Sequence, residues 1–253
     1  MKPLIIGCIQ RILKNKILTV SAAAAALFVI FPSGTNPLAA SLPYRHPDYR
    51  TIKKGLIYGM VTLADPPLIY HVLRVDLGKP DLGVRPVRGK GRKETIQDMS
   101  KRLLKENQPL LAAVNGDYFT PGNETNFFPW GILVENGDMI FSPTDKSALL
   151  IDERGRPLVA RAEFEGSVTF AGKKKSRVAA VNRRLEIGSD ECLLFTRDWN
   201  KTAPEYENGI AVTVSGVPEI QDGVSEGMVS QIVRMPIEAP IPESGYVLVF
   251  NNT

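Results

Sequence analysis

The residues with the clearest chemical potential lie in one short segment, Ala-Ala-Val-Asn-Gly-Asp-Tyr-Phe at positions 112–119. Asn115 carries both a hydrogen-bond donor and an acceptor, and Asp117 can accept a proton or hold a cation. Gly116, between them, permits close approach of another group to the backbone. The alternative interpretation is an ordinary Asn-Gly turn with no chemistry, and the spacing alone does not decide between the two.

Two predicted elements position this segment. The apolar run 110–114 predicts a strand buried on both faces, which would present the polar residues at its end. Before it, Thr95 can cap a helix, with Asp98 in the place of the usual Glu of a capping box. Apolar residues then recur at helical spacing until Gln108-Pro109 ends the run. These apolar positions are Ile96, Met99, Leu103 and Leu104.

The rest of the chain after residue 40 has the pattern of β-structure. Further strands are predicted at 55–63, 68–77, 82–87, 130–134, 139–141 and 191–195. Asn136-Gly137 lies between two of them and predicts a hairpin turn. We therefore expect an α+β fold, a mainly antiparallel sheet with at least one packed helix.

The amino terminus predicts an export signal over residues 1–40. Four basic residues and no acidic ones precede or flank an apolar run at 17–31, and a Pro- and Gly-containing breaker follows at 32–37. Small residues before Ser41 suit a signal peptidase. A membrane span takes roughly 20 apolar residues, and this run has 15. A cleaved signal peptide is therefore preferred to an uncleaved anchor, and we expect a secreted, periplasmic or cell-envelope protein.

The charge balance argues against nucleic acid as a partner. The chain has 31 basic and 27 acidic residues, but four of the bases belong to the predicted signal segment, which leaves 27 of each sign in the rest. The basic excess is therefore a targeting charge. We expect no nucleic-acid partner, and membrane contact only through an uncleaved signal segment.

Cysteine and histidine usage predicts neither a disulfide nor a bound metal. Cys8 lies in the signal segment, which leaves Cys192 alone as a predicted buried thiol on a strand. His46 and His71 are the only histidines, and no Cys/His spacing suggests zinc. We expect no cofactor. The basic stretch 85–93 could cradle phosphate, although a solvated loop is the preferred interpretation.

Several motifs in order give the chain a family resemblance. The segment 112–119, followed by Trp-Gly-Ile-Leu-Val-Glu-Asn-Gly at 130–137, resembles the phosphodiester glycosidase family. Later segments that fall in the family's order are 147–155, 181–183, 194–199 and 241–249. The similarity covers roughly residues 68–250.

The resemblance implies a hydrolase that acts between the anomeric carbon of a sugar and phosphate. The family includes the lysosomal uncovering enzyme and secreted, exopolysaccharide-related bacterial members. It implies a glycan or sugar phosphodiester substrate, with Asn115 and Asp117 as catalytic residues and Gly116, Asn182 and Arg183 as substrate-binding residues. Arg183 would suit the phosphate, and no metal ligand is assigned.

The chain also departs from the family pattern. The family's Arg-Thr-Ala segment, Glu-bearing helix and Asp-Gly-Gly-Gly-Ser motif do not occur in it. We therefore expect residues 68–253 to be the amino-terminal portion of the domain, preceded by a linker and first strand at 41–67. The alternative function is a non-catalytic, β-rich module that binds an envelope glycan or a protein partner.

Overall fold

A computed structural model describes residues 4–9, 49–64, 67–89, 94–121, 127–152, 154–170, 175–216, 224–235 and 237–251. These residues form strands in mainly antiparallel sheets and one helix, which confirms the predicted fold class. The helix α1 is Ile96–Lys105. The strands are β1 Leu4–Ile9, β2 Arg50–Lys53, β3 Leu56–Ala64, β4 Pro67–Val75, β5 Phe119–Pro121, β6 Phe127–Pro129, β7 Leu133–Glu135, β8 Asp138–Phe141, β9 Ser147–Ile151, β10 Pro157–Arg161, β11 Glu165–Thr169, β12 Lys175–Val181, β13 Glu191–Phe195, β14 Gly209–Ser215, β15 Val224–Arg234 and β16 Gly245–Asn251.

The largest sheet is a curled barrel with the strand order β1, β11, β12, β13, β16, β14, β15. Its neighbouring strands run antiparallel except for β12 and β13, which are parallel. Residues 246–249 of β16 are all buried. Because successive side chains of a strand point to opposite faces, Val247 and Val249 enter one apolar cluster and Tyr246 and Leu248 enter another. Both faces of the sheet are therefore covered at β16.

The remaining strands form smaller sheets of two or three strands. β3 and β4 pair along their whole length, from Leu56 opposite Val75 to Ala64 opposite Pro67, which confirms the predicted strand pair. This pairing joins residues on both sides of the predicted division at 67/68. The hairpin of β7 and β8 turns at Asn136 and Gly137, whose φ angles are 54° and 92°. Two successive left-handed residues are what a tight hairpin turn requires, so this prediction is also confirmed.

The helix α1 begins and ends close to the predicted positions. The Thr95 hydroxyl accepts a hydrogen bond from the backbone N–H of Asp98 at 3.1 Å, as expected for a cap. The helix ends at Lys105, before the Pro109 that the sequence predicted as its limit. Leu103 is buried and Met99 is half-buried, whereas Ile96 and Leu104 are exposed, so only part of the predicted apolar face is covered.

Two predicted strands are wrong. Residues 110–114 belong to no strand, and about half the surface of Leu111 and of Val114 is exposed. Residues 82–87 are also irregular. A strand forms only where a neighbour accepts and donates its ladder hydrogen bonds, and no strand of the described residues pairs with either run. An apolar run alone is therefore not sufficient to predict a strand.

The predicted signal segment is described only at β1, which lies inside it; the remainder of 1–40, and His46, fall outside the described residues. In the described part of the chain, no helix is long and apolar enough to cross a membrane.

Candidate functional site

Asn115, Gly116 and Asp117 lie on the protein surface between α1 and β5. The Asn115 amide forms no hydrogen bond with the described residues. A Cβ placed on Gly116 would meet no heavy atom within 4 Å. The backbone here is therefore open to an approaching ligand, although the buried strand that was expected to hold it is absent.

Asp117 connects this segment to the second motif. The backbone N–H of Gly131 donates to Asp117 Oδ2 at 2.6 Å, and the N–H of Trp130 donates to the carbonyl of Tyr118 at 3.0 Å. A Cβ on Gly131 would lie 3.0 Å from Asp117 Oδ2. The absence of a side chain at position 131 therefore allows this short contact with the carboxylate.

Arg183 reaches the same glycine from the opposite side. Its guanidinium donates to the carbonyl of Gly131, to that of Pro129 at 3.2 Å and to that of Ser142 at 2.6 Å. No carboxylate of the described residues forms an ion pair with it. Burial lowers the pKa of Arg183 below its ordinary value, and the nearby charge of Asp117 partly opposes that shift.

Asn182 is placed differently from the other predicted site residues. It is buried and adopts a left-handed φ of 52°. Its Nδ2 donates to the carbonyl of Ile140 and to Thr196 Oγ1, both at 2.8 Å, and its Oδ1 accepts from the N–H of Thr196 at 2.8 Å. Both amide N–H groups are thus used within the protein, and the residue anchors the backbone from which Arg183 projects.

A partly buried charge network lies next to this anchor, because Asp198 also bonds Thr196, and sequence reasoning missed it. Arg88 donates to Glu135 at 2.8 Å and to Asp198, and Arg102 donates to the carbonyl of Arg88 at 2.9 Å. Burial alone disfavours the charged form, but the two carboxylates hold the pKa of Arg88 above its ordinary value. The solvated-loop interpretation of 85–93 is therefore wrong at Arg88. Its partners lie in distant segments, so the sequence carried no local signal for them.

Two exposed aromatic rings lie beside Asp117 and Gly131. Tyr118 is 77% exposed and Trp130 is 51% exposed, and their ring centroids are 5.8 Å apart with a tilt of 43°. The Thr144 hydroxyl donates to the carbonyl of Trp130 at 3.1 Å. Both rings belong to the motifs that the sequence singled out, but neither was assigned a role there.

The described cavities lie elsewhere. One, of about 170 Å³, is lined by Ile187, Tyr206, Glu207, Asn208, Gly209 and Asn251. The other, of about 440 Å³, is lined by Glu165, Gly166, Ser167, Lys175, Arg177 and Asp190. Neither cavity is lined by a predicted site residue; at the Asp117–Gly131–Arg183 junction Asp117 is exposed, and Gly131 and Arg183 are half-buried.

The remaining candidates for chemistry are occupied or buried. Cys192 is fully buried, as predicted, and burial raises the pKa of its thiol to about 12. The ring of His71 stacks on Tyr58, whose hydroxyl lies 2.7 Å from its Nδ1. Among the residues whose positions are given above, no group of three or more His, Cys, Asp or Glu side chains could hold a metal ion.

Comparison with other proteins adds no relative. No protein-family model, no curated protein and no solved structure matches the chain. The resemblance to phosphodiester glycosidases therefore rests on the motifs alone and stays a prediction.

Proposed function

We propose that the chain is an envelope hydrolase that cleaves between the anomeric carbon of a sugar and phosphate. The observation that carries the proposal is the convergence of Asp117 and Arg183 on one residue, Gly131. These two side chains are far apart in the sequence and were selected from it for complementary roles. Through Gly131, an exposed carboxylate and a partly buried guanidinium contact the same residue.

Arg183 is suited to the phosphate. It is partly buried and bound to carbonyl groups, and among the described residues no carboxylate lies within ion-pair distance of its guanidinium. Three of its N–H groups are used, and a guanidinium has five, arranged in a plane that matches phosphate oxygens. The remaining donors can bind an anionic ligand with charge-assisted hydrogen bonds.

Asp117 is suited to the sugar. Gly131 occupies one carboxylate oxygen, so the other can stabilise the positive charge that develops at an anomeric carbon when its bond to oxygen breaks. Water adds to that carbon and releases one proton to the solvent, and the bonding electron pair leaves with the phosphate oxygen. Phosphate is a good leaving group, so little acid assistance is needed. The Asn115 amide can hold a sugar hydroxyl.

The exposure of Asn115, Asp117 and Tyr118 favours a second candidate, a non-catalytic module that binds an envelope glycan. Glycosidases commonly use two carboxylates across the scissile bond. At this junction the described contacts bring in one carboxylate, that of Asp117, and neither described cavity includes it. Binding without hydrolysis requires only the exposed polar and aromatic groups.

Turnover of a p-nitrophenyl sugar phosphodiester by the purified chain separates the two candidates. We expect turnover that is lost in Asp117→Asn and in Asn115→Ala, and a raised KM in Arg183→Lys. Asp145→Asn is the matched control, since its carboxylate is exposed and its ion partner is the adjacent Lys146. Glycan binding without turnover would favour the binding module. If Asp117→Asn were as active as the unmodified chain, Asp117 would be excluded from catalysis.

A further inference from the structure

Tyr118 and Trp130 are two exposed aromatic residues whose rings contact each other on the protein surface. Large aromatic side chains contribute to the stability of a fold or a complex mainly when they are buried. Here 77% of Tyr118 and 51% of Trp130 is exposed. The rings are neighbours, with centroids 5.8 Å apart. Together they form a continuous apolar patch at the edge of the Asp117–Gly131–Arg183 junction.

The backbone beneath the two rings is held in place. The N–H of Trp130 donates to the carbonyl of Tyr118 at 3.0 Å, and the carbonyl of Trp130 accepts from the Thr144 hydroxyl at 3.1 Å. Asp117 holds the next residue, Gly131, at 2.6 Å. Because this frame exists before a ligand arrives, a ligand would order few additional groups, which lowers the cost of binding.

The polar groups around the patch narrow the class of ligand. Asp117 precedes Tyr118 directly, and the Asn115 amide is exposed nearby in the chain. A pyranose ring presents an apolar face of C–H bonds and a rim of hydroxyl groups. The rings of Tyr118 and Trp130 match the apolar face of the sugar, and the Asp117 carboxylate and Asn115 amide match its hydroxyl groups.

We propose that Tyr118 and Trp130 form a platform on which a pyranose ring of the ligand stacks. This deepens the proposed function, on which it rests, by assigning the sugar to the aromatic pair and leaving the phosphate to Arg183. The platform acts in binding and positioning, and it takes part in no bond-making step.

Tryptophan fluorescence tests the platform directly. The chain has two tryptophans, and Trp199 stacks face to face on Phe128 at 4.2 Å, so a ligand on the surface changes mainly the emission of Trp130. Cellopentaose, chitopentaose and mannopentaose are titrated into the full chain. We expect a saturable change with at least one of them. Trp130→Ala and Tyr118→Ala should each weaken binding about tenfold, measured by calorimetry, as expected for the loss of one stacking face.

Matched variants separate this inference from the hydrolase. Trp130→Phe should keep binding and lose the fluorescence change, whereas Tyr49→Ala, which removes another exposed tyrosine next to β2, should leave both unchanged. Circular dichroism checks that each variant is folded. Sugar binding without turnover supports the platform and rejects the hydrolase. No saturable signal with any of the three sugars, or an affinity in both alanine variants that is unchanged from that of the unmodified chain, overturns the platform even if the phosphodiester is hydrolysed.

Discussion

The barrel and the Asp117–Gly131–Arg183 junction are built in different ways. In the barrel, β13, β14 and β16 are buried along most of their length and pair with neighbours on both sides. At the junction, the elements are two-stranded sheets of short strands and irregular segments, and Asn115, Asp117 and Tyr118 are exposed. Burial stabilises the first region, whereas individual polar contacts hold the second.

Asn182 and Arg183 connect the two regions. They follow β12 of the barrel directly, and their side chains reach Ile140, Ser142 and Gly131 outside it. A rigid sheet thereby positions groups on an open surface, as is common for binding residues carried by irregular segments. The comparison predicts large effects on stability from barrel substitutions and large effects on function from junction substitutions.

Removing a barrel side chain should have the largest effect. Leu193→Ala removes a fully buried residue and should lower the free energy of unfolding by about 2–5 kcal/mol, since it leaves a cavity in a packed core. Leu158→Ala is the matched control, because Leu158 is 56% exposed and should change stability by less than about 0.5 kcal/mol. Urea unfolding measures both. Equal losses would contradict the contrast between barrel and periphery.

Removing the connecting amide should have the next largest effect. Asn182→Ala leaves the carbonyl of Ile140 and the N–H of Thr196 without their partner and should cost about 1–3 kcal/mol. Asn208 also has a left-handed φ, of 49°, but is exposed. Asn208→Ala therefore reports the backbone cost alone, and the difference in urea midpoints isolates the buried amide. Equal urea midpoints for the two variants would show that the Asn182 side chain does not stabilise the contact between the barrel and the junction.

The buried thiol should give the barrel a dependence on alkaline pH. The pKa of Cys192 is about 12 when folded and 9.0 ordinarily, so the unfolded chain releases its proton first. The stability from the neutral thiol is therefore complete below pH 9 and is lost as the pH rises towards 12. Between pH 9 and 10 the loss is about 1 kcal/mol. Cys192→Ala should flatten the stability curve over this range, and parallel curves would contradict the assignment.

Substitution of Gly116 should have the smallest effect on stability and a clear one on function. A Cβ here meets nothing within 4 Å. The free energy of unfolding of Gly116→Ala should therefore differ from that of the unmodified chain by less than about 0.5 kcal/mol. It should nevertheless raise the KM for the phosphodiester, because the methyl group enters the space through which a ligand approaches. Gly83→Ala is the control, since position 83 is equally open. Equal KM values for the two variants would place the ligand elsewhere.

The sequence predicted those parts of the fold whose causes are local. The Thr95 cap and the Asn136-Gly137 turn each depend on a few adjacent residues, and both were found. The apolar run 110–114 was misassigned because a strand depends on a partner that its own residues do not specify.

The same distinction applies to the junction. Its members Asp117 and Arg183 were named from motifs, but their contact through Gly131 depends on how distant segments pack. The Arg88 network was missed for the same reason, since its carboxylates come from β7 and from the segment after β13.

Gly131 also links the two charged groups. Its N–H binds the carboxylate of Asp117 and its C=O binds the guanidinium of Arg183, so the span of a single residue separates the two charges. One peptide segment is therefore the common attachment point of a carboxylate from one motif and a guanidinium from another. A displacement of Gly131 would alter both contacts together, so the two charged groups cannot be repositioned independently of this residue.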